Sequence, residues 1–432
     1  MAADAHDAAL DVLLSLFDDG TLPWPSEGGV LFLRAREGAA LARTPRPGLV
    51  CEQSFAPEAA ALRRAGRTLR NAYAPPPLQA SEATAGEAIS SEAMPPDATN
   101  TDATDTDATD TDATDTDEMS ADAASAYDHD PAHRYAVVLV LPPRQREEAR
   151  ALLARAVAQC AEGGVVVACM ANDEGAKSGE SDLKALAGLS GTRSKQHCRA
   201  YWATIRTTTR ATAAPPTVDT ALLSAWMSLD APRPIADGRF ISRPGVFAWD
   251  RIDAASALLA ASLPDDLRGR AADLGAGYGY LAVELLQRCP GIVALDLYEA
   301  EARALGLAER NLAPFASRAD VRFHWGDATE GLRARYDTIV ANPPFHAQSR
   351  ADRPDIGRAF IAAAADALEP GGRLWLVANR HLPYETVLDA RFGTVRTVAQ
   401  AHGFKVIEAT KTVAKSGASR PARTERMGRW RA

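Results

Sequence analysis

The chain has 432 residues, too many for one ordinary core, and 46% of them are hydrophobic, so two packed domains are the expectation. Its five cysteines, Cys51, Cys160, Cys169, Cys198 and Cys289, show no C-x-x-C spacing, which favours free thiols in a reducing compartment over disulfides or a metal site. The net charge of −8 is unevenly placed: residues 74–130 hold 15 acids and no Lys or Arg, and without them 48 basic side chains face 41 acidic ones, a balance that permits a polyanionic partner.

Leu10, Leu13, Leu14 and Phe17 recur at helical spacing and stop at Gly20. The apolar piece Val12–Phe17 is too short for a signal peptide or a membrane span, so a cytoplasmic protein with no membrane segment is expected. Gly29–Arg34 reads as a strand, Glu58–Ala65 as a helix and Thr68–Arg70 as a short strand. From Pro75 the composition collapses into an Asp-Ala-Thr-(Asn/Asp)-Thr repeat that runs from Asp97 to Asp117. Without large apolar side chains such a stretch cannot offset its own ordering entropy, so 74–130 is read as a disordered acidic insertion.

Tyr135–Leu141 is an apolar strand and Arg146–Cys160 a helix; Gly163-Gly164 reads as a turn before a strand at Val165–Met170. The same order returns later. Tyr135–Pro143 matches Tyr336–Pro344 position by position, and each is followed by an Ala-rich helix, a Gly-Gly (163–164 and 371–372), a strand and Ala-Asn (171–172 and 378–379). This is an internal duplication of an α/β unit. The copies differ where chemistry would sit: Leu141 stands for Asn342 and Arg144 for Phe345. Residues 211–235 read as the link, and Asp253 as the cap of a helix at Ala254–Leu263. The expected domains are 1–225, with its insertion, and 226–412, followed by a basic tail at 413–432.

Chemistry concentrates in the second copy. Asp273-Leu-Gly275-Ala-Gly277-Tyr-Gly279 reads as a strand end, a tight glycine turn and a helix start, where ligands approach the backbone closely. The glycine spacing differs from the dinucleotide fingerprint, and a carboxylate at the strand end suits an ammonium group. The next strands are read to end at Asp296, Asp327 and Asn342. Asn342-Pro343-Pro344-Phe345 stops its strand, because prolines lack an N–H and fix φ. An amide, free carbonyls and an aromatic face held rigidly together suit a planar group bearing an exocyclic amine.

This set resembles the class I methyltransferases that use S-adenosylmethionine (SAM), over roughly residues 240–412. The resemblance implies that Asp273, Gly275 and Gly277 lie under the methionine moiety, that Asp296 accepts the ribose hydroxyls, and that Asp327 accepts the adenine amine. Asn342 would border both cofactor and substrate. More narrowly, Pro244-Gly-Val-Phe247, Asn342–His346, Val377–Tyr384, Phe392-Gly393 and Phe404-Lys405-Val406 look like the bacterial small-subunit (16S) ribosomal RNA guanine-N2 methyltransferases, whose N-terminal half is a duplicated, inactive copy. The acidic insertion departs from that family's pattern. The resemblance implies a fold of two tandem Rossmann-like α/β domains, the first degenerate. The enzyme would be a monomer that uses SAM and no metal and acts on ribosomal RNA of the small subunit. Asn342 and the Pro343 carbonyl would accept the amine and Phe345 would stack on the base. Another Asn-Pro-Pro methyltransferase, acting on large-subunit rRNA, DNA adenine or a protein glutamine, is the alternative; a non-catalytic RNA-binding assembly factor is a second. Trp325 and Trp375 are expected in the core, and Lys405 on a solvent-facing strand.

Overall fold

The computed structural model describes residues 7–70, 133–207, 217–344 and 354–413. The acidic insertion expected at 74–130, Phe345, and the basic tail beyond Val413 lie outside these residues.

In the first half, α1 (Ala8–Asp18) precedes β1 (Val30–Leu33), α2 (Ala39–Arg43), β2 (Leu49–Glu52), α3 (Ala56–Arg64) and β3 (Thr68–Arg70). Then come β4 (Tyr135–Val140), α4 (Arg146–Gln159), β5 (Cys160–Ala171), α5 (Ala176–Ala187), β6 (Gly191–Lys195), β7 (Cys198–Thr204) and α6 (Thr220–Met227). The second half opens with a small hairpin, β8 (Arg233–Ile235) and β9 (Phe240–Ser242), then α7 (Ala254–Ser262), β10 (Arg268–Leu274), α8 (Tyr280–Arg288), β11 (Gly291–Glu299) and α9 (Ala302–Leu312). It closes with β12 (Asp320–Trp325), β13 (Tyr336–Ala341), α10 (Pro354–Ala367), β14 (Leu368–Asn379), α11 (Glu385–Arg391), β15 (Thr394–Ala401) and β16 (Phe404–Thr410).

The two seven-stranded sheets have the same topology. Their orders are β3-β2-β1-β4-β5-β7-β6 and β12-β11-β10-β13-β14-β16-β15, with five parallel strands and an antiparallel pair at one end. These are the two tandem Rossmann-like domains that the repeated landmarks predict. Central strands such as Val30–Leu33 and Ile339–Ala341 are buried along their whole length, as helices on both faces require. The Gly-Gly landmarks are not turns between elements. They lie inside β5 and β14, where Gly163 and Gly371 take positive φ (77° and 84°) and the register against β4 and β13 shifts at equivalent places.

Two other expectations change. The segment read as a plain link contains α6, capped by Asp219, whose Trp226 is buried in the first half's core under the Arg150 guanidinium. The expected boundary between 225 and 226 falls inside this helix. Lys405 does not face solvent: it is buried, and its Nζ donates to the Leu382 carbonyl (3.0 Å) and to Glu385 (2.6 Å).

Register pairs Leu33 with Glu52 and Val140, and Leu274 with Tyr298 and Ala341. Carrying these alignments one to four residues onward equates Gln53 with Glu299, Ser54 with Ala300 and Ala56 with Ala302. The halves touch at these loops. The Ala56 N–H donates to the Ala300 carbonyl (2.8 Å) and the Ala302 N–H to the Ser54 carbonyl (2.9 Å), each bond being the image of the other. Trp325, expected in the core, is half-buried instead and donates Nε1 to both carbonyls. Beside them Glu148, from the first half, is clamped by Arg34 (2.9 Å) and by Arg303 of the second (2.6 Å).

Candidate active site

β10 delivers Asp273 and then the turn Gly275–Gly279. Gly275 and Gly277 have φ of 72° and 56°, a conformation that side-chain-bearing residues rarely take, and a Cβ on Gly277 would meet nothing within 4 Å. The loop is therefore shaped to leave space beside its backbone. It is pinned by the Gly275 and Ala276 N–H groups to the Tyr298 carbonyl (2.9 and 3.2 Å).

Asp273 is fully buried, and neither of its carboxylate oxygens has a side-chain or loop donor among the described residues. Burial, and then the nearby Glu299 carboxylate, push its pKa up to about 8. A buried carboxylate under a glycine turn, lacking a counter-charge, fits a cationic ligand group.

Asp296 is not at this edge. β11 runs on to Glu299, so Asp296 pairs with Ala272 and Arg322 inside the sheet. There it is buried, accepts the Tyr336 hydroxyl (2.7 Å), and lies 3.6 Å from Arg270 and 3.5 Å from His324. The acid that reaches the glycine loop is Glu299. Its Oε2 accepts the Gly277 N–H (2.7 Å) and its Oε1 the Glu301 N–H (2.8 Å), and burial raises its pKa. One signal for it was present: the apolar run continues through Leu297 and Tyr298, so the strand's last residue is Glu299.

Asp327 lies two residues past β12, where its Oδ1 accepts the Thr329 N–H (2.8 Å) and hydroxyl (2.7 Å). Asn342 follows β13 directly, one strand over from the glycine loop and level with Gly275. Its Nδ2 donates to Asp253 (3.0 Å) and to Ser256 Oγ (2.8 Å), while its buried Oδ1 has no partner among the described residues. Asp253 also accepts the Ser256 N–H (2.8 Å), the helix cap that the sequence predicts. Pro343 is buried. The structure thus brings Asp273, Gly275, Gly277, Asp327, Asn342 and Pro343 to one edge, adds Glu299, Asp253 and Ser256, and removes Asp296. No cluster of three or more His, Cys, Asp or Glu side chains suited to a metal occurs among the described residues, and no helix there is long and apolar enough to cross a membrane.

The first half lacks each of these groups. By the same register Phe32 stands for Asp273, Arg34 for Gly275, Gln53 for Glu299 and Leu141 for Asn342. Arg34 keeps the left-handed backbone (φ 54°) but fills the place with a guanidinium paired to Glu148. Gln53 keeps the bond to the N–H two residues on, from Phe55 (2.9 Å), and spends its amide on the Ala35 carbonyl (2.7 Å).

Comparison with known proteins gives a consistent picture. Residues 237–408 match the model of the methyltransferase small domain. The chain is 33% identical over 275 residues to the ribosomal RNA small subunit methyltransferase C of Shewanella amazonensis, covering 63% of this chain and 76% of that one. It is 31% identical over 283 residues to the protein of the same name from Pseudomonas paraeruginosa, covering 65% and 81%. Among solved structures, a T. thermophilus 16S rRNA N2 methyltransferase in complex with AdoMet and guanosine shares the fold across both halves, with a TM-score of 0.64, 22% identity, and coverage of 95% of this chain and 93% of that one.

Proposed function

Because the chain belongs to the family of ribosomal RNA small subunit methyltransferases, we propose that it transfers a methyl group from SAM to the exocyclic N2 amine of a guanine in small-subunit ribosomal RNA. The observation that carries this reading is the Asn342 Oδ1 without a partner among the described residues, an acceptor held one strand from Asp273, a buried carboxylate with no counter-charge, under an open glycine turn. We place the protein in the cytoplasm, acting as a monomer.

The residues present fit SAM. Asp273 would take its ammonium, Gly275 and Gly277 leave room for the methionine chain, Glu299 would accept the ribose hydroxyls and Asp327 the adenine amine. Bound there, SAM supplies an electrophilic methyl group on a sulfonium. The guanine amine is a poor nucleophile because its lone pair is delocalised into the ring. Asn342 Oδ1 and the Pro343 carbonyl would accept its two N–H bonds, draw the nitrogen toward tetrahedral geometry and stabilise the positive charge that develops on it. Phe345 would stack on the base and hold it in line. A paired guanine must first leave its helix, at about a few kcal/mol.

The first half, 1–225 extended through α6, is a non-catalytic partner in this reading. With Phe32, Arg34, Gln53 and Leu141 in the four key places it offers a cation no carboxylate and an amine no acceptor. The catalytic half is 228–412.

Asn342→Ala tests the assignment. Transfer of tritiated methyl from SAM to small ribosomal subunits should fall by about 100-fold or more, in the range seen when one transition-state hydrogen-bonding group is removed. Full activity would show that the amine is not activated here.

A further inference from the structure

The Asn342 side chain can present either its oxygen or its amide nitrogen to the site. The choice decides whether it can accept from an amine at all. Two groups outside the Asn-Pro-Pro stretch settle it. Asp253 Oδ2 and Ser256 Oγ both receive Nδ2, at 3.0 and 2.8 Å. They lie at the cap and in the first turn of α7, and they are tied to each other because the same Asp253 oxygen accepts the Ser256 N–H (2.8 Å). Ser256 is buried, and the carboxylate sits at the positive end of the helix. Were Asn342 turned over, its Oδ1 would face that carboxylate with no proton between them.

We propose that Asp253 and Ser256 are positioning residues for methyl transfer: they lock Asn342 with Oδ1 toward the substrate amine and polarise the amide so that this oxygen is a stronger acceptor. The inference rests on the amine-methylating role given to Asn342 above. The anionic Asp253 pulls on the Nδ2 protons, and electron density moves through the planar amide to Oδ1. As the attacking nitrogen gains positive charge, its N–H protons meet a more negative oxygen. α7 is thus more than a packing helix, since its N-terminus sets the direction of the catalytic amide.

The decisive variant is Asp253→Asn. Asparagine caps helices as well as aspartate does, so the fold and α7 should persist. Its oxygen can still accept both the Ser256 N–H and Asn342 Nδ2, as Asp253 Oδ2 does, but the negative charge behind that oxygen is gone, so the Asn342 amide is neither polarised nor held as firmly against turning over. With tritiated SAM and small ribosomal subunits, kcat should fall about 10- to 100-fold, as for loss of a charge-assisted bond. SAM binding measured by calorimetry should stay within about twofold, because the groups assigned to SAM are Asp273, Gly275, Gly277, Glu299 and Asp327, and neither Asp253 nor Ser256 is among them. In an Asn342→Ala background, Asp253→Asn should add little further loss, since a positioning residue has nothing left to position. Ser256→Ala should give a smaller fall in kcat with the same pattern.

Wild-type kcat in Asp253→Asn would overturn the inference, and so would losses in Asp253→Asn and Asn342→Ala that multiply in the double variant. Either result leaves the methyltransferase reading standing, provided the wild-type chain labels the rRNA. Failure of the wild-type chain to label it, with SAM binding intact, would sink that reading first, and this inference with it.

Discussion

At Asp273 a single carboxylate would couple the proposed SAM contact to pH. Its ordinary pKa is 3.8 and its folded value is about 8, because burial and Glu299 disfavour the charge. Between those limits the folded state holds a proton that the unfolded chain releases, so this group's contribution to stability declines as pH rises from about 4 to 8. An ammonium set against the carboxylate reverses the preference, and the proton must leave. At pH 7, calorimetry of SAM binding in buffers of differing ionisation enthalpy should therefore show release of up to about one proton per SAM. The release should vanish in Asp273→Asn, and affinity in the wild type should tighten from pH 6 to pH 8. The two acids of β11 separate by a different measurement. Glu299→Gln, which keeps an acceptor for Gly277 but loses the charge, should weaken SAM binding by about tenfold. Asp296→Ala should leave that affinity nearly unchanged and lower stability by about 1–3 kcal/mol, because the Tyr336 hydroxyl then loses its buried acceptor.

Part of the order of strands and helices was legible from apolar runs and repeated landmarks, because strands such as Val30–Leu33 and Tyr135–Val140 are continuous hydrophobic segments close to Gly or Pro. What it hid was where a strand stops. An acid inside an apolar run, Asp296, looks like a strand end; the run's continuation through Leu297 and Tyr298 was the one contrary signal, and the pairing of Glu299 with Trp325 shows the ladder continuing three residues further. Lys405 was misread for a related reason: β16 is covered on both faces, so alternation cannot tell which side chains point inward, and a lysine there is retained by Leu382 and Glu385. Loop glycines hold a third kind of information. Gly245, in the loop before α7, has φ of 91°, and a Cβ there would come within 2.2 Å of Glu148 Oε2. The glycine of Pro244-Gly-Val-Phe is thus a contact between halves that one-dimensional reading cannot reveal. Gly245→Ala should cost about 1–3 kcal/mol through backbone strain and displacement of the clamped carboxylate, read as a lower denaturant midpoint with an unchanged slope.

For the whole molecule, the duplicated halves meet through matching loops, and the buried acid, the open glycine turn and the amide oxygen unpartnered among the described residues stand in the second half, where the first has Phe32, Arg34 and Leu141. Charge is the property that acts across this scale. The chain is formally −8, but the part outside 74–130 has an excess of basic side chains, and the acidic repeats belong to the same molecule as the surface that must meet a polyanion. Their field should oppose RNA approach wherever salt does not screen it. Replacing the eight aspartates from Asp97 to Asp117 by asparagine keeps the length and brings the formal net charge to zero. Affinity for small-subunit rRNA at about 50 mM salt should then rise by about three- to tenfold, and the gain should shrink toward nothing at about 300 mM, where charges more than several ångströms apart are screened. Filter binding across a salt series reads both quantities. Equal affinities at low salt would mean that the repeats lie too far from the bound RNA for their charge to be felt.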